Sequence, residues 1–506
     1  MARLFFILVF SFLLGCITAG YGQYYPVGPI NSNSAVHNFR CAAVEGATEY
    51  RFYVCEGNDE DYAIINTKAF ARVASKTPEA TVFLTGFFKF FSWFSVAKVG
   101  TQWQYSGIKH CTLNGVRKVD LGTFRLNVKT NKLDDQKRFV VSDVNKVIYD
   151  MTGRPIWYLP VEGGIRDLKI SPLGLLTGLE GDVAQAYNSS GEVVWRAPES
   201  SGRQGKIIER YHHEIIQRKN GNFVVMSIEP VILEWLKDKS GKTTLVRSKE
   251  KELAPGYDSL RYTKTGFGTL IEYTKAGKVV WYWSSANYYL SLPGFKSLPP
   301  GAIVDVHENA FFFDEGTRKV YVNAKGASDI LKIDYPSGRI IAHYGDGYGK
   351  NKQFDKYKMF CDQHGIKRFS DGNIYVFNNN LCSEPGIAKV SGFEEANAAT
   401  GQLKKVWEYE YTGLPDSSKY VKSTNGGCVQ DAGKGALFAC YGVPLSSMFI
   451  VGKNKELLWD AMLEKKDKPD AEWTQNGEYR AYLIQTEAEL LKFLGLKKAG
   501  RDITNE

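Results

Sequence analysis

Histidine is scarce, with seven in 506 residues, and no cysteines fall at the CxxC spacing of structural zinc sites, so a zinc finger or ribbon is excluded. Lys and Arg total 64 against 55 Asp and Glu, yet they form no long basic block. That pattern lacks the electrostatic footprint of a nucleic-acid-binding protein and favours small anions instead. Past the first 20 residues no stretch approaches the 18 apolar residues a membrane-spanning helix needs. Neither extreme charge nor a shortage of apolar residues is present, since 43% hydrophobic and 24% charged are ordinary for a packed protein, which excludes a disordered or collagen-like chain. What is abundant is 29 Phe, 29 Tyr and 49 Gly, the mixture of pleat-filling aromatics and turn-forming glycine that predicts an all-β protein.

Met1-Ala2-Arg3, the largely apolar Leu4 to Leu14, and the small residues Gly15, Thr18, Ala19 and Gly20 have the layout of a secretory signal peptide over residues 1–20. Leu13-Leu14-Gly15-Cys16 also resembles a bacterial lipobox. If Cys16 is lipidated, the mature chain is tethered to a membrane from outside; otherwise it is periplasmic or extracellular. Export permits disulfides. Cys361 and Cys382 are equidistant from the turn at Asp371-Gly372, and Cys428 and Cys440 from the turn at Gly433-Lys434, so each pair is expected to face across a hairpin and close a disulfide. Pairing among Cys41, Cys55 and Cys111 stays open.

Residues 27–115 carry a strand series, His37 to Val44, Glu49 to Cys55, Ala80 to Leu84 and Phe90 to Val99, that predicts a small β-sandwich. The segments Phe39 to Val54 and Leu84-Thr85-Gly86 with Trp93 to Ala97 resemble strands of a fibronectin type III domain, with Cys41 where that family usually has tryptophan. The aromatic string Phe87 to Phe94 reads as core and domain interface. Farther on, a phrase of strand, turn, then strand ending in an aromatic recurs at Ile148 to Trp157, Ala186 to Trp195, Glu272 to Trp281, Lys332 to Tyr344, Ala398 to Trp407 and Ile450 to Trp459. Six such units over 139–486 predict a six-bladed β-propeller. Glu478 to Ile484 would return to the first blade and close the ring. Lys237 to Glu252 reads as a solvated loop, and 487–506 as a helical tail.

The histidines fall in register with these units. His213 stands eight residues before Gly221, His364 eight before Gly372, and His307 again just ahead of an aromatic strand. Equivalent positions in successive blades share a height and radius, so the three imidazoles are expected to meet at the axial channel. The same register places Arg166 with them and Gly427 in a later blade, and Lys325 follows the next strand after His307. A histidine trio is also a zinc or copper ligand set. The adjoining cations oppose a dication and suit an oxyanion, so no metal is expected. His212, His110 and His343 read as satisfied structural residues. Tyr211, Phe360 and Trp283 are candidates to stack on an aryl group.

His213-Glu214 before Asn220-Gly221-Asn222, Val306-His307-Glu308-Asn309-Ala310 with Lys325, Gln363-His364-Gly365 before Asp371-Gly372-Asn373, and Tyr479-Arg480-Ala481 resemble motifs of the aryl-sulfate sulfotransferase family over roughly 140–490. The resemblance implies a propeller enzyme that moves a sulfuryl group from a small-molecule aryl sulfate donor to a phenolic acceptor, with neither nucleotide donor nor cofactor. It implies His364 as the nucleophile and His213, His307 and Lys325 as holders of the sulfate oxygens; the blade register, not the resemblance, makes Arg166 a candidate substrate contact. The family has arginine where this chain has Lys325. The alternative is a non-catalytic binding or scaffold protein built on the same sandwich and propeller.

Overall fold

A computed structural model describes residues 24–116, 121–133, 137–199, 210–345, 359–397, 402–413 and 422–504; the expected signal peptide 1–20 and Cys16 lie outside them. The protein is all-β, a β-sandwich and a six-bladed β-propeller. Two compact units divide the chain: residues 1–119, 154–160 and 495–506 form one, and 120–153 with 161–494 the other.

In the first unit, Lys89–Val99 is the central strand of a seven-stranded sheet, and Val36–Arg40 with Glu79–Phe83 makes a separate antiparallel pair. Trp93 anchors this core: its ring packs 5.2 Å from Phe39 and its indole N–H donates to Pro26 O at 2.8 Å. In the Phe87 to Phe94 string, Phe88 and Phe90 are exposed, while every residue from Phe91 to Ala97 is buried, so the central strand is covered on both faces. Cys41, Cys55 and Cys111 are buried free thiols. The tail expected to be helical is so only over Glu487–Phe493; Arg501–Asp502 instead pairs with Ala71–Ser75 of the sandwich.

The second unit holds the blades. Their inner strands are Ala481–Ile484, Ile165–Ile170, Arg210–Gln217, Glu308–Asp314, His364–Arg368 and Cys428–Gly433, for blades one to six. Ala481–Ile484 pairs antiparallel with Phe139–Ser142, so the last strand of the ring completes the first blade. The recurring tryptophans lock each blade to the next. Trp195 stacks on Phe223 at 3.9 Å, Trp281 donates to Pro336 O at 2.9 Å, and Trp459 donates to Met151 O at 2.9 Å. Each buries a large ring and still satisfies or shields its neighbours, which is why the repeat ends on this residue.

Lys237 to Glu252, read as a loop, belongs to an extended hairpin. Phe223–Lys237 continues beyond the blade against Tyr262–Tyr273, and Thr243–Arg247 pairs with its far end. Val231, Leu233 and Trp235 alternate inward onto Leu245 and Phe295. The disulfide Cys361–Cys382 is present. Cys428 and Cys440 sit directly opposite each other in the sixth blade but are free thiols, so the second expected disulfide is absent.

Candidate functional site

At the start of its inner strand, each of blades two to five carries a β-bulge: between Arg166 and Lys169, Tyr211 and Ile215, Glu308 and Ala310, and His364 and Ile366. A residue within the bulge takes a left-handed backbone at Asp167, His213 and Gly365, with φ of 60°, 63° and 53°, whereas in the fourth blade the left-handed residue is His307, φ 50°, just ahead of the strand that begins at Glu308. Bulges re-aim side chains at the expense of local pairing. The shared register predicted from glycine spacing is therefore offset by one: His213 and His307 are themselves the left-handed residues, whereas Arg166 and His364 precede theirs. A non-glycine residue held this way stores about 1–2 kcal/mol of strain, and two imidazoles do so here. At Gly365 a Cβ would lie 2.8 Å from Cys428 Cα, so only glycine fits beside His364. At Gly427 a Cβ would meet the Phe377 ring at 2.2 Å, which explains why that blade adds no side chain.

The histidines converge. His213 and His307 cross edge-to-face with centroids 5.4 Å apart, and His364 is close enough for its charge to act on His213. His212 is a buried residue held by the Ser227 backbone, and it also adjoins the cluster, its Nδ1 bonded to His213 Nδ1. His110 and His343 do have structural partners, Ser92 with Glu60, and Asp329. Lys325 follows its strand with its amide on His307 O at 2.8 Å, and its ammonium acts on both Asp305 and His364. Arg166 is exposed, with its guanidinium 5.9 Å over the Tyr479 ring. Tyr211, Phe360 and Trp283 are all buried in packed cores, and the pocket that Trp283 borders contains none of the clustered histidines. An aromatic ring that does lie beside the histidines is that of Tyr479, 6.5 Å from His213.

Two residues that spacing did not single out organise the cluster. Arg480, nearly fully buried, donates to Asp167 Oδ1 at 3.0 Å, His213 O at 3.2 Å and Asn309 O at 2.6 Å, tying three blades together under the imidazoles. Asn379 fixes the tautomer of His364. Its Nδ2 donates to Ser423 O at 2.8 Å and Gly426 O at 3.2 Å, so its Oδ1 must accept, and it lies 2.8 Å from His364 Nδ1. Asp362 O, 3.2 Å away, is a second acceptor for the same N–H. His364 Nε2 is thus left with the lone pair.

Burial pushes the His364 imidazole down to about 3, with Arg480 and Lys325 adding repulsion, so it is neutral at physiological pH. Burial likewise holds His212 down at about 4, and takes His213 well below its ordinary value, helped by His212 and Arg480. His307 is the most open of the trio; its Nδ1 is 3.3 Å from Asp305 Oδ2. Beneath them lies a charged layer. Lys169 bridges Asp167 at 2.7 Å and Glu214 at 2.9 Å, and Lys367 reaches Glu214 at 3.3 Å. Burial alone would raise Glu214, but Lys169, Lys367 and Arg480 override it and keep the carboxylate ionised. The Tyr479 hydroxyl and Arg480 Nε are buried with no hydrogen-bond partner among the described residues. No group of three or more His, Cys, Asp or Glu among the described residues is arranged to hold a metal ion.

No family model matches the chain, and no curated protein matches it. Solved structures do resemble it. A protein of unknown function from Bacteroides caccae matches at TM-score 0.41 and 10% identity, over 69% of this chain and all of its own. Apo AztD from Citrobacter koseri matches at TM-score 0.31 and 9% identity, over 86% of this chain and 98% of its own. The periplasmic gluconolactonase PpgL of Pseudomonas aeruginosa matches at TM-score 0.31 and 10% identity, over 72% of this chain and 99% of its own.

Proposed function

We propose that this chain is an exported sulfotransferase that moves a sulfuryl group from an aryl sulfate to a phenol through a covalent intermediate on His364, without a nucleotide donor. The observation that carries this reading is the state of His364: a neutral, buried imidazole whose Nδ1–H is held by Asn379 and Asp362, with the Nε2 lone pair set in the field of Arg480 and Lys325. In the first step the Nε2 lone pair attacks sulfur and the sulfur–aryl oxygen bond breaks. The departing aryl oxide takes a proton from His307, and the positive charge that develops on the His364 ring is shared through Nδ1–H with its two acceptors. In the second step the acceptor phenol returns a proton to His307, its oxygen attacks sulfur, and the nitrogen–sulfur bond breaks back to Nε2.

Sulfuryl transfer spreads negative charge over three non-reacting oxygens, so fixed cations and donors account for most of the catalysis. In this reading Lys325 and Arg166 meet those oxygens, and the support is that Lys325 acts electrostatically on His364, Arg166 lies over the Tyr479 ring, and the Tyr479 hydroxyl has no hydrogen-bond partner among the described residues. His213, held neutral, donates or accepts without adding charge. The test is incubation with a chromogenic aryl sulfate, with and without phenol. Acceptor-dependent dye release that His364→Ala abolishes is expected. Release without acceptor would mean hydrolysis rather than transfer, and binding without release would favour the non-catalytic platform.

A further inference from the structure

The inner strands enclose a second space below the charged layer, a cavity of about 330 Å³ in the axial channel, within the range of small-molecule sites. Its wall is mostly apolar, made by Phe311, Phe312, Phe313, Ile170 and Ile216. Five cationic side chains line it against three carboxylates, Asp167, Glu214 and Glu315, so it carries a positive surplus. Two of those cations are each already paired with two carboxylates. Arg218 makes bonds of 2.9 Å to Glu272 and 2.7 Å to Glu315, and Lys169 is shared by Asp167 and Glu214. Lys367 is different: among the described residues its one carboxylate partner is Glu214 at 3.3 Å, its ammonium lies 5.7 Å over the Phe312 ring, and its side chain is 29% exposed. An ammonium has three donors, and Glu214 keeps Lys169 and the Phe311 amide whether or not Lys367 turns away.

We infer that this cavity is a second ligand site, distinct from the histidine cluster, for a small aromatic molecule bearing one anionic head, the ring against Phe312 and Ile216 and the head on Lys367. The assignment does not depend on sulfuryl transfer.

The test is fluorescence titration of the full chain with the aromatic sulfonate 8-anilinonaphthalene-1-sulfonate. Saturable one-to-one binding is expected, retained in His364→Ala, abolished by the cavity-filling Ile216→Trp, and weakened at least tenfold by Lys367→Ala. Should Ile216→Trp fail to fold, the Lys367→Ala titration decides. No saturable binding, binding that His364→Ala removes, or binding that Lys367→Ala leaves unchanged overturns the inference.

Discussion

Replacing Asn379 by Asp keeps an acceptor for His364 Nδ1–H while placing a negative charge about 3 Å from the ring, where the amide oxygen now sits at 2.8 Å. A carboxylate at that range raises a histidine by about 1–3 pH units. From its present value of about 3, the imidazole would then titrate near pH 4–6, at the edge of the working range. Protonation blocks the Nε2 lone pair, so the acid limb of kcat/KM for aryl sulfate should move up with it. Asn379→Ala removes the acceptor instead. It leaves Nδ1–H with the longer 3.2 Å contact to Asp362 O and frees the ring to change tautomer, a loss of about 1–2 kcal/mol, or about five- to thirtyfold in kcat. The pH profile of single-turnover dye release reads both effects. An Asp variant whose acid limb does not move, with an Ala variant at full rate, would refute the reasoning that Asn379 sets the state of His364.

Three further outcomes follow from the same geometry. Gly365→Ala should lower the denaturant midpoint, because left-handed strain of about 1–2 kcal/mol adds to overpacking of about 1–3 kcal/mol where the new methyl meets Cys428. Lys325→Arg should raise kcat/KM about tenfold, since a guanidinium grips two sulfuryl oxygens where an ammonium offers a point charge; an unchanged rate would mean Lys325 stands apart from the sulfuryl group. Because folding depresses His364 to about 3, its contribution is complete above the unfolded-state value near 6.5 and falls as pH drops below it. Glu478, raised by burial, works in the opposite direction. The comparison with His364→Gln isolates the histidine: between pH 6.5 and 5 the parent should lose about 2 kcal/mol relative to the variant in urea titrations.

The ring was legible because its signals are local. A tight turn repeats in each unit and a tryptophan in five of the six, and the tryptophan recurs because it fastens one blade to the next, as Trp459 does to Met151. The histidine trio was legible from the same spacing, though the bulges that offset the strands by one residue leave no mark in glycine positions. Arg480 stood in the motif Tyr479-Arg480-Ala481 without an assigned role, and Asn379 was not singled out, because their partners lie far away in sequence. Arg480 meets Asp167 across 313 positions, and Asn379 acts through Ser423 and Gly426 of another segment. The one local clue was the run Asn378-Asn379-Asn380 closing the strand that pairs with His364. The hairpin beyond the third blade was missed because its Lys and Glu masked the alternation of Val231, Leu233 and Trp235, a period of two that belongs to a strand. Cys428 and Cys440 face each other as their spacing implies, yet remain thiols, so register alone did not determine the bond.

Mass spectrometry of the protein quenched after exposure to aryl sulfate without acceptor tests the central claim most directly. The account predicts one sulfuryl group on the peptide containing His364, removed when a phenol is added before quenching. An unmodified His364 peptide from protein that nevertheless transfers sulfuryl groups, or a sulfuryl group carried on another residue, would contradict it.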